Sequence, residues 1–165
     1  MSQTTYNQVP PCGAAGGLYD LSNHDIVTRM NGEAGHAMKF GFGVVQGSAP
    51  GSNVKVPVAG TTAAKFEGVV VNGGYNAEMD RDGTVRIPPM ASLSVLQQGK
   101  IWGRIKPNVT PQYGDDLYLV ISGEDAGCFT NTAEESSTIA IKGRFIGPKG
   151  TGNVAPIELF GQAQA

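Results

Sequence analysis

The sequence predicts an all-β fold, a single β-sandwich or β-barrel-like domain with an extended N-terminal arm. Of its 165 residues, 24 are glycine and 10 are proline, and this density would interrupt nearly every helix longer than about three turns. Hydrophobic residues make up 40 % of the chain, which is enough to form a core. Short β-prone runs recur at intervals of roughly 8–12 residues with turn residues between them, as in sandwiches and barrels.

The first 17 residues are predicted to form the arm, and residues 18–165 are predicted to form the β domain. The arm is polar and ends in Pro10-Pro11-Cys12 followed by small residues and glycines. Consecutive prolines favour an extended backbone. Because such a segment cannot bury much of itself, it either frays or is ordered by lying on a neighbour.

Four runs in the first half of the domain have strand character. The first is closed by an Asn-Gly pair, the second has aromatic residues two positions apart, the third lies within a stretch that is mainly loop, and the fourth is stopped by Asn-Gly-Gly. In chain order they are Ile26–Met30, Phe40–Val45, Val54–Val56 and Phe66–Val71.

A hairpin follows. Asp82-Gly83 lies between Tyr75–Asp80 and Thr84–Ile87, and an Asp-Gly pair accepts the positive φ values that a tight type I′ turn requires.

The second half of the chain continues the pattern of short strands. The runs are Leu93–Leu96, Ile101–Ile105, Leu117–Ile121, Thr138–Ile141, Arg144–Ile146 and Ile157–Phe160. Glu134–Ser137 is the one piece with helical character, and it is predicted to form no more than a turn. Trp102 stands between Ile101 and Ile105, and we expect it to lie in the core.

Charge and hydropathy disfavour two classes of partner. The net charge is −2, and the 12 basic residues are scattered singly, whereas a nucleic-acid-binding surface needs clustered Lys and Arg. No apolar run approaches the roughly 20 residues that span a bilayer. The N-terminus lacks a charged region followed by an apolar one, so we expect no secretion signal and a protein that stays where it is made. Neither nucleic acid nor membrane is therefore an expected partner.

The cysteines and histidines do not indicate a cofactor or metal. Cys12 and Cys128 could form one disulfide, but two free thiols are the simpler interpretation. With two cysteines and two histidines in total, a zinc site would need all four to converge, and their spacing fits no zinc motif.

Two further patterns resemble functional motifs only in part. Glu78, Asp80, Asp82 and Gly83 match the opening of a calcium loop, but its twelfth position is Pro89, where a bidentate Glu is required. Gly41-x-Gly43 has no helix after it to bind a phosphate.

Catalysis is also not indicated. His24-Asp25, with His36 further along, is the nearest approach to an acid–base pair, but no Gly-x-Ser-x-Gly sequence marks an activated serine. His24 is better interpreted as a solvated turn histidine. The sequence therefore predicts no catalytic, cofactor or metal residues, and a structural or binding protein rather than an enzyme.

Low charge favours a subunit of an assembly. Charged residues make up 16 % of the chain, against about 25 % in a typical soluble domain. Because charged residues are depleted at the cores of protein interfaces, much of this surface is expected to face other chains.

Six segments, in this order and spacing, resemble the tailed-bacteriophage capsid cement (head decoration) proteins. They are Asp25–Glu33, Met38–Val45, Phe66–Val71, Ile87–Gly103, Gly114–Leu119 and Gly127–Thr130. The resemblance spans about residues 18–160. It departs from the family pattern at Gly103, where valine is usual, and Glu124–Ser137 does not align.

The resemblance implies a β-rich virion protein that binds the outer surface of the expanded head after both are made in the bacterial host cytoplasm. It would clamp neighbouring major capsid protein subunits against internal DNA pressure. It would self-associate as a homotrimer, with a homodimer as the alternative that the sequence leaves open. An acidic chain suits the outer face better than the DNA-filled lumen. The alternative is a virion-displayed module that binds host-surface carbohydrate, for which exposed Tyr75 or Tyr113 would be the signature.

Overall fold

The computed structural model describes residues 12–73, 77–79, 81–83 and 85–161. It confirms an all-β, barrel-like fold. The strands are β1 (Asp25–Asn31), β2 (Gly43–Gln46), β3 (Asn53–Lys55), β4 (Phe66–Val70), β5 (Glu78–Met79), β6 (Val85–Arg86), β7 (Ser92–Arg104), β8 (Asp116–Val120), β9 (Phe129–Thr130), β10 (Thr138–Phe145) and β11 (Val154–Leu159), with a 3-10 turn at Ala63–Lys65. None of the described residues forms a helix that is long and apolar enough to cross a membrane.

The main sheet is folded into two rings that share β7. In the first ring, β1 pairs with β3, β3 with β2, β2 with β4 and β4 with β7, and β1 closes the ring on the first half of β7. In the second ring, β7 pairs with β11, β11 with β10, β10 with β8 and β8 with β9. A bridge between Phe129 and Ile105 returns β9 to the end of β7. The β5–β6 hairpin forms a separate two-stranded sheet.

Each ring has its own core. The first core contains Met38, Val44, Val54, Val70, Ile87, Leu93 and Val95. The second core is larger and includes Phe66, Leu96, Ile101, Leu119, Phe129, Phe145 and Ile157. Strands β2, β4 and β7 alternate between the two, because successive side chains of a strand point to opposite faces. They form the wall between the cores.

Several predicted strands are confirmed, and others differ in extent. The runs at Ile26–Met30 and Phe66–Val71 correspond to β1 and β4. Phe40 and Gly41 lie in a turn instead of a strand, since Gly41 has a φ of 79°, and β2 begins only at Gly43. The prediction of no more than a turn at Glu134–Ser137 is confirmed by a hydrogen bond from the Ser137 N–H to the Glu134 carbonyl of 3.1 Å.

Two pairs of predicted strands are in fact single strands. The runs on either side of Gly99 form one strand, β7, in which Gly99 adopts a φ of 126°, a conformation that favours glycine. The pairing of β7 with β1 shifts register nearby, between Asp25 and Ile26. The runs on either side of Gly143 likewise form β10, with an irregularity between Ile141 and Arg144 where it pairs with β8.

The predicted hairpin is confirmed, with a longer connection. Met79 pairs with Val85 and Glu78 with Arg86, so the turn around Asp82-Gly83 is longer than the two-residue turn expected. Tyr75, Asp80 and Thr84, together with arm residues 1–11, lie outside the described residues.

The expectation that Trp102 lies in the core is wrong. Ile101 and Gly103 on β7, and Ile105 directly after it, are buried and face the second core. Trp102 and Arg104 therefore point to the opposite face, where both are only half-buried.

Candidate docking surface

The described end of the arm is paired with β7 of its own domain. Residues 12–19, here called the arm base, run antiparallel to this strand, with a bridge between Leu18 and Ile101. The Gly16 N–H donates to the Trp102 carbonyl at 2.7 Å, and the Trp102 N–H donates to the Gly17 carbonyl at 2.9 Å. The Tyr19 N–H donates to the Lys100 carbonyl at 3.1 Å. These bonds fix the direction in which the chain approaches the domain.

Two glycines allow this close approach. The backbone of Gly13 lies against the Trp102 indole so closely that a Cβ there would overlap the ring. Gly16 has a φ of 79°, and a Cβ on it would lie 2.8 Å from both the Val70 carbonyl oxygen and the Asn72 nitrogen. Any larger residue at either position would displace the arm base from β7.

A short turn with one fully exposed apolar side chain follows the arm base. In this Asp20 turn, residues 20–24, the Asp20 carboxylate accepts hydrogen bonds from the Ser22 hydroxyl and N–H and lies 2.9 Å from the Lys100 ammonium nitrogen. The Ser22 hydroxyl, and after it Lys100, lowers the pKa of Asp20 to about 2. Leu21, which is 91 % exposed, stands at the tip of this turn.

A second exposed group combines two aromatic rings with an arginine. The Arg144 guanidinium lies 5.4 Å from the centre of the Tyr113 ring and 5.7 Å from that of Phe160. Its Nε and Nη2 are both 2.9 Å from Oε2 of Glu158. Tyr113 is 68 % exposed and Phe160 45 %. We call these four residues the aromatic–arginine cluster; it displays apolar and polar groups that are already fixed in position.

A groove of about 420 Å³ lies between the arm base and the β5–β6 hairpin. Ala14 and Ala15 line it on the arm side, and Met79 and Val85 line it on the hairpin side. Arg104 also borders the groove, and its Nε donates to the Phe40 carbonyl at 2.9 Å. The hairpin groove is therefore mostly apolar and open to a ligand or a peptide segment.

The residues considered for catalysis do not form a site. His24 and His36 are exposed, and Nδ1 of His24 is 2.8 Å from the Ser22 carbonyl oxygen, which fixes it as a turn residue. Glu78 lies on β5 and Asp82 in the hairpin connection, while Asp80 lies outside the described residues. Within the part of the chain that the structure describes, no three His, Cys, Asp or Glu side chains are placed to hold a metal ion.

Both cysteines are free thiols. Cys12 packs against the loop around Gly150, with its sulfur 3.9 Å from the Thr151 carbonyl oxygen. Cys128 is buried in the second ring, and this burial raises the pKa of its thiol to about 11. The buried thiol is consequently a packing residue.

The aromatic–arginine cluster was not predicted as a unit. Tyr113 had been singled out, but Arg144 and Phe160 are far from it in sequence and meet it only because β10 lies between β8 and β11. The Asp20 turn does carry a local signal, since Asp-x-Ser favours a side-chain hydrogen bond to the backbone two residues on.

Comparisons with known proteins agree with the resemblance seen in the sequence. A family model described as "Structural cement protein (E217 gp24/Pam3 gp6)" matches residues 2–160. Among solved structures, a chain from "The capsid of Myoviridae Phage XM1" is 16 % identical, with 96 % of each chain covered and a TM-score of 0.69. At this identity the likeness shows the fold alone. No curated protein sequence matches the chain at a significant level.

Proposed function

Because the chain belongs to the structural cement protein family, we propose that it binds the outer surface of the expanded phage capsid and joins neighbouring major capsid protein subunits. The observation that carries this proposal is the match of the family model over residues 2–160. In this role the protein is a virion component assembled onto the head in the host cytoplasm, without catalytic, nucleic-acid-binding or membrane-binding activity.

The proposed mechanism is stabilisation by mass action. A protein that binds the assembled shell and not its separate subunits stabilises the shell by about 2.7 kcal/mol per site when its free concentration is a hundredfold above Kd. Since one particle offers many sites, the stabilisation free energy summed over all of them opposes the internal pressure of packaged DNA. An oligomer that engages several contacts at once gains further affinity through avidity.

The aromatic–arginine cluster supports this function as a contact surface. Tyrosine and arginine are enriched among the residues that contribute most to protein–protein affinity. Glu158 holds the Arg144 guanidinium, and the guanidinium in turn lies over the rings of Tyr113 and Phe160. Because these side chains are already ordered, binding costs little conformational entropy.

The test is co-sedimentation of the purified protein with expanded and unexpanded empty heads of its own phage. We expect saturable binding to expanded heads only, with a copy number that identifies the symmetry site. Absence of binding to both forms would overturn the proposal, and equal binding to both would contradict its dependence on expansion.

A matched pair of variants tests the contact surface. Tyr113→Ala is expected to weaken shell binding about thirtyfold, the loss of about 2 kcal/mol that truncation of a residue central to an interface causes. Val58→Ala removes another exposed apolar side chain, 55 % exposed, in the loop before β4, and is expected to leave binding unchanged. Neither variant should change the melting temperature, since both side chains are largely in solvent.

The protein is further proposed to be a homotrimer. The family resemblance and the low charge of the chain support self-association. Light scattering behind size-exclusion chromatography should give three times the chain mass of 17.2 kDa. Twice that mass would show the homodimer instead.

One observation favours the alternative of carbohydrate binding, namely the exposure of the Tyr113 ring. Arg144 lies over one face of that ring, so a sugar could stack only on the other face. A glycan array probed with the same sample separates the two functions: binding that Tyr113→Ala abolishes, combined with no binding to heads, would establish the alternative.

A further inference from the structure

The hairpin groove has no occupant within the described chain, and its shape and chemistry suit an extended peptide. We propose that it binds N-terminal residues 1–9 of a second copy of this chain. This inference rests on the proposed self-association of the cement protein and deepens it by naming the contact that links one subunit to the next.

The groove can bury several side chains. Its volume of about 420 Å³ falls within the range of roughly 300–1,000 Å³ that is typical of ligand pockets. Six of its nine lining residues are apolar, including Phe40, Met79 and Val85. The other three lining residues are Asn72, Glu78 and Arg104. The apolar majority favours a largely apolar, uncharged occupant, because a charge placed against it would lose its hydration.

A segment bound in the groove would also stabilise the β5–β6 hairpin. It consists of two residue pairs outside both rings, and a two-stranded hairpin alone is marginally stable in water. Met79 and Val85 are directly opposite each other and so lie on one face, yet they are 73 % and 47 % exposed. A segment bound in the groove would bury this apolar face.

The N-terminal segment matches the groove in charge and hydropathy. Residues 1–11 contain no Asp, Glu, Lys or Arg, and they include Tyr6 and Val9. Eleven residues can span about 36–40 Å when extended, which is enough to reach from one subunit into a neighbour.

The direction of the arm base favours a second copy over the same chain. Followed backwards, the chain passes from Ala14 at the groove over the Trp102 indole to Cys12, whose sulfur lies beside Gly150 and Thr151. At Cys12 the described chain therefore lies away from the groove, beside residues that do not line it. A segment that continued into the groove of the same chain would have to turn back at Pro10-Pro11, and proline restricts the backbone conformations available for such a turn.

A synthetic peptide tests the binding directly. A protein lacking residues 2–11 keeps the arm base and the groove, and the probe is a peptide of residues 1–11. Calorimetry is expected to show saturable binding of one peptide per chain. Met79→Asp in the same background should weaken it at least tenfold. Met90→Asp, at a methionine 74 % exposed outside the groove lining, should not. No saturable binding, or equal binding to the Met79→Asp protein, would overturn the inference.

A mixing experiment distinguishes a second copy from the same chain. Full-length Met79→Asp protein keeps residues 1–11, but its groove is impaired. The protein lacking residues 2–11 has an intact groove but no N-terminal segment to place in a neighbour. Light scattering should show that each alone loses self-association and that the mixture recovers a complex. A monomeric full-length protein, combined with peptide binding to the deletion protein, would place the arm in its own groove and overturn the inference.

Failure of this inference is separable from failure of the proposed function. Co-sedimentation with heads reports the function, whereas peptide binding reports the groove. If the full-length protein binds expanded heads but the peptide does not bind, the cement role stands and the binding of the N-terminal segment in the groove is overturned. If the peptide binds but the protein does not bind heads, the groove inference stands and the cement role is overturned.

Discussion

The two rings of the molecule share β7 but are stabilised in different ways. The second ring encloses a large core that includes Phe66, Phe129 and Phe145. Among the described residues, the buried part of the first core is aliphatic, and its one aromatic neighbour, Phe40, is only partly buried. The first ring instead buries two asparagines, Asn31 and Asn53, whose side chains are hydrogen-bonded to the backbone. Apolar burial therefore dominates the second ring, and a polar network supplements a thin core in the first.

The exposed surface features are also distributed between the two rings. The hairpin groove borders the first ring and the arm base, while the aromatic–arginine cluster lies on β10 and β11 of the second ring. The well-packed ring thus carries the rigid cluster. The ring with the smaller core carries the hairpin that we propose to be completed by a second subunit.

The largest expected effect is in the second core. Phe129→Ala should lower the free energy of unfolding by about 3–5 kcal/mol, because a buried aromatic side chain is lost and a cavity remains. In the first core, Val44→Ala should cost only about 2 kcal/mol, since it removes two methyl groups. Guanidinium denaturation measures both. Equal losses of unfolding free energy in the two variants would contradict the conclusion that apolar burial contributes more to the second ring than to the first.

The next effect tests the polar network of the first ring. Asn31→Ala leaves the Pro88 carbonyl and the Glu33 N–H without their side-chain partner, which should cost about 1–3 kcal/mol. Asn23→Ala, at an exposed asparagine, is the control and should change stability by less than about 0.5 kcal/mol. If the two variants unfold at the same denaturant concentration, the buried asparagine is not structural.

Trp102→Ala should have an intermediate effect, because the side chain is half-buried on the face that the arm base covers. We expect a loss of about 1–3 kcal/mol, below the cost of a fully buried large aromatic. Hydrogen exchange should accelerate at the amides of Gly16 and Tyr19, which donate to β7. Unchanged exchange at these amides would show that the backbone bonds hold the arm base without the indole.

The smallest effect concerns the Asp20 turn. The pKa of Asp20, about 2, lies below its ordinary value of 3.8, so this carboxylate stabilises the fold above pH 3.8 and the contribution is lost as the pH falls toward 2. A carboxyl titration by NMR should show Ser22→Ala raising this pKa more than Lys100→Ala does, because the Ser22 hydroxyl is the larger cause. The opposite order would make the lysine the main partner.

Strand content could be predicted from the sequence, but the ring closure could not. Alternation and turn residues locate most strands, yet nothing local indicates that β1 closes on β7 or that Ile105 meets Phe129. Gly99 lies between two runs that are predicted as separate strands, and a glycine in the interior of a strand weakens it and often marks a bulge. Trp102 was misassigned although a signal existed: Arg104, two positions on, shares its face, and a charged residue marks the outward side of a strand.

The candidate surface was less predictable than the fold. Exposed aromatic residues are visible in the sequence only as residue types, and their partners depend on which strands become neighbours. Gly103 illustrates the same limit. A Cβ there would lie 2.8 Å from Ile157 and 3.1 Å from Phe129, so the glycine leaves room for these two side chains of the second core, a contact that the sequence does not show.

The pairing of the arm base with β7 also determines how the molecule bears load. A pull on Cys12 along the strand direction would act on the three hydrogen bonds that join Gly16, Gly17 and Tyr19 to β7 at the same time, in shear. Ladder bonds run perpendicular to the strands, so they resist such a pull together rather than opening one by one as a zip does. Since β7 pairs with strands of both rings, tension entering at the arm base would be shared between the two rings instead of being borne by one.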